Sequence, residues 1–535
     1  MGQVLFWLEA AITFVIFVAL GCGILSRIHG RGLHGVVEIL WAALALLPWL
    51  IAIVAFALVQ LLAGGALFQL VSASVAGLAF AVSSIIVIKR GRKPSAVATG
   101  RAAATWRLSR LTLALAAGLL LTCITFWNLD LAVRQEMATL RVEAGAIALS
   151  VSPPRMPGSQ NAAPLYRQAW EALDKEKNPI EKWYIEIDTG KFDPGNKQML
   201  DFLNKQRPVI ELLCRAGTLP GCNFGIEYNP PSTDVVLPPM HKMRNLSRLL
   251  CLSSGVASHQ GKMDEAMTYI STALALADHC TSGPTLVESL VSFACEKNVF
   301  KTFQYVLDQA EFTKDSINAI SLNPSLNFNA ALHRSARMET AFGMYSFTMP
   351  DLSNVAATSF ISEPPVMTSQ HFIVMGAISP YRVFLWRKDI EAYLQWMHRN
   401  EQWSAEPYHA HLQEWRQPEP RKRLGGLLAN SMALTISLPA QLAAVADAQH
   451  RLIMLAVAMW QYRLAEGSFP AELGQLSPKY LLTIPIDPFT GKSMKMAQVD
   501  GHPVIYSVGP DLVDDGGKPM DQRNIKGDIS LTLRH

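Results

Sequence analysis

Four long apolar runs crowd the first 130 residues and limit what the rest of the chain can be. They are Leu5–Leu25, Val36–Leu62, Ala66–Ile88 and Leu111–Leu129. A helix rises about 1.5 Å per residue and must cross about 30 Å of hydrocarbon, so roughly 17–25 apolar residues suffice. Each run meets that length, and the second is long enough to tilt or to kink at Pro48. Glu9 and Glu38 fall near run ends, where a carboxylate reaches the interface without implying a proton pathway. The expectation is a four-helix transmembrane anchor over residues 1–130.

Basic residues orient this anchor. Arg27 and Arg31 separate the first two runs, and Lys89, Arg90, Arg92, Lys93, Arg101, Arg107 and Arg110 separate the third and fourth. The Ala63–Gly65 turn and the N-terminal tail carry no Lys or Arg. Positive loops stay cytoplasmic, so both termini are expected outside, with everything after about Leu129 extracytoplasmic. The first run lacks a basic leader and a small-residue cleavage site, so it reads as a retained span. Ala19-Leu20-Gly21-Cys22 likewise reads as a buried Cys in a membrane helix. The location implied is a bacterial inner membrane, multi-pass, with a periplasmic C-terminal region and membrane lipid as a partner.

The formal net charge of +4 comes largely from those basic loops, and only 17% of residues are charged. No basic face interleaved with aromatics is evident, so nucleic acid is not an expected partner.

Beyond the anchor, residues 131–160 read as a linker, with Pro, Ser and Gly concentrated from Ser150 to Gln160. Residues 161–450 read as an all-α domain. Asn161-Ala-Ala-Pro164 offers an N-cap and a first-turn Pro, with Leu165, Tyr166, Ala169, Trp170 and Leu173 on one face. Further helices are expected over Lys197–Ala216, Leu286–Gln309, Asn329–Phe347 and Pro380–Trp403. Between His241 and Cys280 the pattern is a helical hairpin turning at Gly261. Ser254, Ala266 and Ala273 are small enough for its helices to approach closely, resembling one tetratricopeptide-like unit. A solenoid needs about three such units, which favours an irregular helical domain. Leu424–Ala446 is uncharged but holds Asn430, Ser431, Thr435, Ser437, Pro439 and Gln441, which fits a core helix and loop better than a fifth span.

Chemistry is sparsely signalled. H-E-x-x-H, G-x-S-x-G and C-x-x-C are absent, and Gly491-Lys492-Ser493 lacks the earlier Gly of a phosphate loop. His398, Glu401, His409, His411 and Glu414 have spacings that suit a zinc site or a solvated helix face equally. Cys214, Cys222, Cys251, Cys280 and Cys295 lie beyond the apolar runs. The loop Arg215–Gly221 contains Gly217, Pro220 and Gly221, so a Cys214–Cys222 disulfide is expected in an oxidising compartment. Ser507, Asp511, Asp514, Asp515 and Asp528 put hard oxygen donors in one tail loop, as calcium requires.

The tail also carries a resemblance. Gly467-Ser-Phe469-Pro470, Ile484-Pro485-Ile486-Asp487-Pro488-Phe489, Tyr506-Ser507-Val508-Gly509-Pro510-Asp511, Asp514-Asp515-Gly516-Gly517 and Gly527-Asp528-Ile529 follow one another in the chain. In order and spacing they resemble the globular head of the major pseudopilin of type II secretion, over about residues 452–535. That resemblance implies a helix packed on a small antiparallel sheet and calcium held by the loop. Leu452–Ala465 would supply the helix, with Leu455, Met459 and Tyr462 facing the sheet. Pro510 and the longer stretch Lys518–Lys526 depart from the pattern. The start Asn161–Tyr166 and the segment Arg244–Leu250, together with this tail, also resemble bacterial membrane-anchored envelope proteins.

The sequence thus predicts an anchor (1–130), a linker (131–160), an all-α domain (161–450) and a small α+β pseudopilin-like domain (451–535). The function expected is a membrane-anchored envelope protein of structural or interaction type, with other envelope proteins as partners and calcium as a cofactor. The alternative is a membrane-anchored, metal-dependent hydrolase using the His398–Glu414 region.

Overall fold

The computed structural model describes residues 128–173, 179–231, 237, 240–309, 312–323, 326–349, 382–416, 429, 436–520 and 526–534. The four apolar runs lie outside these residues, apart from the last two positions of the fourth. The chain divides into two compact units: Met1–Thr139 with Phe347–Ile390, and Leu140–Ser346 with Glu391–His535.

In the first unit the described residues are two helical stretches joined by charge. Helix α1 covers residues 128–151, of which 128–139 belong here. Asp130 is buried and pairs with Arg134 one turn along at 2.7 Å and with Arg382 at 3.2 Å. Six residues further on, Glu136 takes two hydrogen bonds of 2.7 Å from the Arg387 guanidinium. The fork matches the carboxylate geometrically, and it holds Glu136 below the usual carboxylate range.

The second unit is mostly helical. Residues 140–151 of α1 bury Leu140, Ala144, Ala148 and Val151. The expected linker is therefore helical over most of its length, because 131–149 lacks Pro and its apolar residues recur at helical spacing. Helices α2 (Ala163–Leu173), α3 (Ile180–Asp188), α4 (Lys197–Lys205) and α5 (Arg207–Gly217) follow. The single helix expected over Lys197–Ala216 is broken at Gln206, because Pro208 in the first turn of α5 cannot continue the ladder of α4.

The centre of the unit is α6 (Met240–His259), α7 (Met263–Cys280) and α8 (Leu286–Leu307). Gly261 turns the hairpin with φ +74°, a conformation open to Gly without a Cβ penalty. The close approach of α6 and α7 is visible in the buried Ser254 hydroxyl, which donates across to the Ala266 carbonyl at 2.9 Å. Helix α8 packs on both and opens with a complete capping box, Thr285 with Glu288.

Helices α9 (Phe328–Ser346), α10 (Trp386–Ala405) and α11 (Ser437–Glu466) complete the helical layer. Helix α11 is the one described helix long and apolar enough to cross a membrane, with 78% of its apolar window buried inside the protein. Its buried residues run from Pro439 to Trp460 round its circumference, the signature of a core helix.

The C-terminal part is α+β. Strands β1 (Lys495–Val499), β2 (His502–Ser507) and β3 (Ile529–Thr532) form an antiparallel sheet in the order β1-β2-β3. Helix α11 packs on β2 and β3. Leu455 and Met459 are buried, whereas Tyr462 stacks edge-on against Tyr480 at 5.6 Å. Each buried Leu, Met or Phe here contributes roughly 1.5–3 kcal/mol by leaving water.

Candidate functional site

A recess of the second unit lies where the start of α8 meets the end of α7 and the loop after α5. It is lined by Cys222, Tyr228, His279, Cys280, Gly283 and Glu288, among others, and has room for little more than a water molecule.

Glu288 organises one wall. As the third residue of α8 it receives the Thr285 backbone N–H at 3.1 Å, the Thr285 hydroxyl at 2.7 Å and the Tyr228 hydroxyl at 3.1 Å. Burial pushes the carboxyl above its ordinary value, and the Thr285 and Tyr228 bonds partly offset that. Gly283 is required beside it, since a Cβ there would overlap the carboxylate. Burial raises the Tyr228 hydroxyl as well, with the neighbouring carboxylate adding to the effect.

His279 organises the other wall. Its Nε2 donates to the Leu219 carbonyl at 3.0 Å, so Nδ1 is the acceptor for the Tyr166 hydroxyl at 2.7 Å. Burial depresses its pKa, which keeps the ring neutral. The thiols are also held protonated. Burial pushes Cys222 up to about 12, while a hydrogen bond with Cys295 and burial raise Cys280. A nucleophilic thiol needs the opposite shift. A neutral imidazole with both nitrogens engaged and a carboxylate with three donors lock the α5–α7–α8 junction rather than react.

The expected Cys214–Cys222 disulfide is not formed, and all five described cysteines are free thiols. Helix α5 carries Cys214 toward α7, where Thr272 Oγ1 lies 3.7 Å from its sulfur, while Cys222 turns into the recess.

The five tail-loop residues are near one another but aim differently. Asp528 is buried and accepts the Gly517 N–H at 2.7 Å and the Asp515 N–H at 3.4 Å. Asp511 accepts from Val513 at 3.2 Å and Gly527 at 2.9 Å. Asp514 takes the Lys495 ammonium, the Tyr506 hydroxyl at 3.0 Å and the Gly516 N–H at 3.2 Å. Ser507 donates to buried Asp487 at 2.8 Å. The donor chemistry suits calcium, but an ion here would have to displace Lys495 from Asp514 and turn Ser507 off Asp487.

The His398–Glu414 residues are spread out. His398 is exposed on α10, and Glu401 accepts the Thr340 hydroxyl of α9. His409 abuts Gly491, and His411 pairs with Glu406 at 3.1 Å and Glu414 at 3.9 Å. Among the described residues no group of three or more His, Cys, Asp or Glu is arranged to hold a metal ion.

The sequence does not signal the Tyr228–Glu288 and Tyr166–His279 pairings, because the partners lie 60 and 113 positions apart. Only the Thr285-x-x-Glu288 capping box is a local signal. Compared with known proteins, the chain matches no family model, no curated protein and no solved structure.

Proposed function

We propose that this chain is a membrane-anchored envelope protein of structural or interaction type, whose helical body and α+β tail lie on the extracytoplasmic side. The observation that carries the non-enzymatic reading is the recess, where protonated thiols, a neutral His279 and a fully engaged Glu288 serve packing. The anchor rests on the four apolar runs, and the orientation on nine Lys and Arg residues in two loops. Calcium at Ser507, Asp511, Asp514, Asp515 and Asp528 belongs to the proposal on donor chemistry and on the pseudopilin resemblance of the tail. Bound there, it would supply positive charge that relieves repulsion among the carboxylates.

The test is topology in intact cells with a permeabilised outer barrier. Ser95→Cys should resist an impermeant thiol reagent, and Leu482→Cys, at an exposed tail position, should react. Labelling at 95, or protection at 482, overturns the orientation.

A further inference from the structure

The two salt-bridged stretches of the first unit point to a contact that the four apolar runs do not include. Asp130 pairs with Arg382 and Glu136 with Arg387, so residues 382–390 run alongside α1 in the same direction and nearly in register. The fourth apolar run ends at Leu129. Headgroups add about 5–7 Å to each side of the hydrocarbon, and a helix rises about 1.5 Å per residue. The level of Asp130–Arg134 is therefore inside the headgroup layer when the run spans, and the register places Leu385 near the same depth.

Two further observations fit a lipid neighbour at that depth. Leu129, Leu131 and Leu385 are 39%, 46% and 46% exposed. Arg134 and Arg387 keep nearly half their side-chain surface open beside them, 49% and 47%. Exposed leucines with half-open guanidiniums within about two turns on the outward side match the interfacial pattern, in which apolar groups enter the acyl boundary and cations stay with phosphates. The sequence before this stretch, Phe372–Ile378, is apolar throughout.

We propose that residues 382–385, clamped to the foot of α1 by the Asp130–Arg382 and Glu136–Arg387 pairs, dock on the phospholipid surface and form a second membrane contact about 250 residues after the anchor. This rests on the membrane reading above and adds to it a lipid-facing segment within the extracytoplasmic part of the chain. Buried Asp130 is the positioning residue, since it holds Arg382 beside the helix that leaves the bilayer.

The experiment uses the full chain in phosphatidylethanolamine–phosphatidylglycerol vesicles, with a photoreactive benzophenone amino acid in place of Leu385, Leu119 or Leu482. Illumination should give lipid adduct at both 385 and 119, each at least about tenfold above that at 482, since one position faces the headgroup layer and the other the hydrocarbon. Lipid adduct at 119 without any at 385 overturns the surface contact and leaves the anchor standing. Adduct from 385 to another protein chain in place of lipid overturns it too. Failure at 119 as well removes the membrane reading itself.

Discussion

Gly283 and Glu288 show how a single residue sets the local chemistry. Glu288 caps α8 and also closes the recess, and the space it occupies exists because position 283 has no Cβ. Gly283→Ala should therefore displace the carboxylate, break the Thr285 and Tyr228 hydrogen bonds and cost about 1–3 kcal/mol. A drop in the unfolding midpoint of the purified chain checks this, and an unchanged midpoint contradicts the packing described. The capping box is legible in the sequence as Thr285-Leu-Val-Glu288. The requirement for Gly283 is not, because it arises from a side chain whose rotamer only the fold determines.

Among the elements, α8 and α11 are joined by a buried charge pair. His450 Nδ1 lies 3.0 Å from Glu296 Oε1, with the side chains 4% and 0% exposed. Burial alone would lower the His450 pKa, but the Glu296 carboxylate and the Asn323 carbonyl outweigh it and hold it above the ordinary value. A histidine whose folded pKa exceeds its unfolded value contributes fully below about pH 6.5, and that contribution fades as pH rises through the folded value. His450→Gln should cost about 3–5 kcal/mol at pH 6, because it strands a buried carboxylate. The gap between variant and parent should narrow as pH climbs. Chemical denaturation at pH 6 and pH 9 measures both, and a gap that widens with pH refutes the pairing. Helix existence and type were readable here from periodicity, as with Leu286–Leu307 and the hairpin turning at Gly261. Less readable were the ends: α11 runs unbroken from Ser437 to Glu466, joining the core helix expected within Leu424–Ala446 to the tail helix expected over Leu452–Ala465.

At the scale of the whole molecule, the described residues are mostly helical with one small three-stranded sheet, as the expected all-α and α+β composition has it, and helix α11 packs on both helices and strands of the second unit. Residues 131–151 are helical because helix-compatible residues precede the Pro-rich stretch, and the expected disulfide is absent because α5 runs on to Gly217. Calcium belongs to this scale, since the acidic loop adjoins the sheet through Lys495 and Tyr506. If it binds there, saturating calcium at a hundred times Kd stabilises by about 2.7 kcal/mol. Chelator should then lower the melting temperature and open residues 511–517 to protease, with magnesium a poor substitute. Identical melting and proteolysis with and without chelator would remove the ion from the account.

Gln304 of α8 carries a consequence for assembly. Its amide oxygen receives the Thr532 N–H at 2.8 Å and its NH2 donates to the Thr532 carbonyl at 3.2 Å, as a neighbouring strand would. One edge of the sheet is thereby occupied by a side chain belonging to the helical body. Strand addition by another chain, whether in ordered assembly or in aggregation, is then directed to the outer edge of β1 at Lys495–Val499. Growth from this tail would have a built-in polarity.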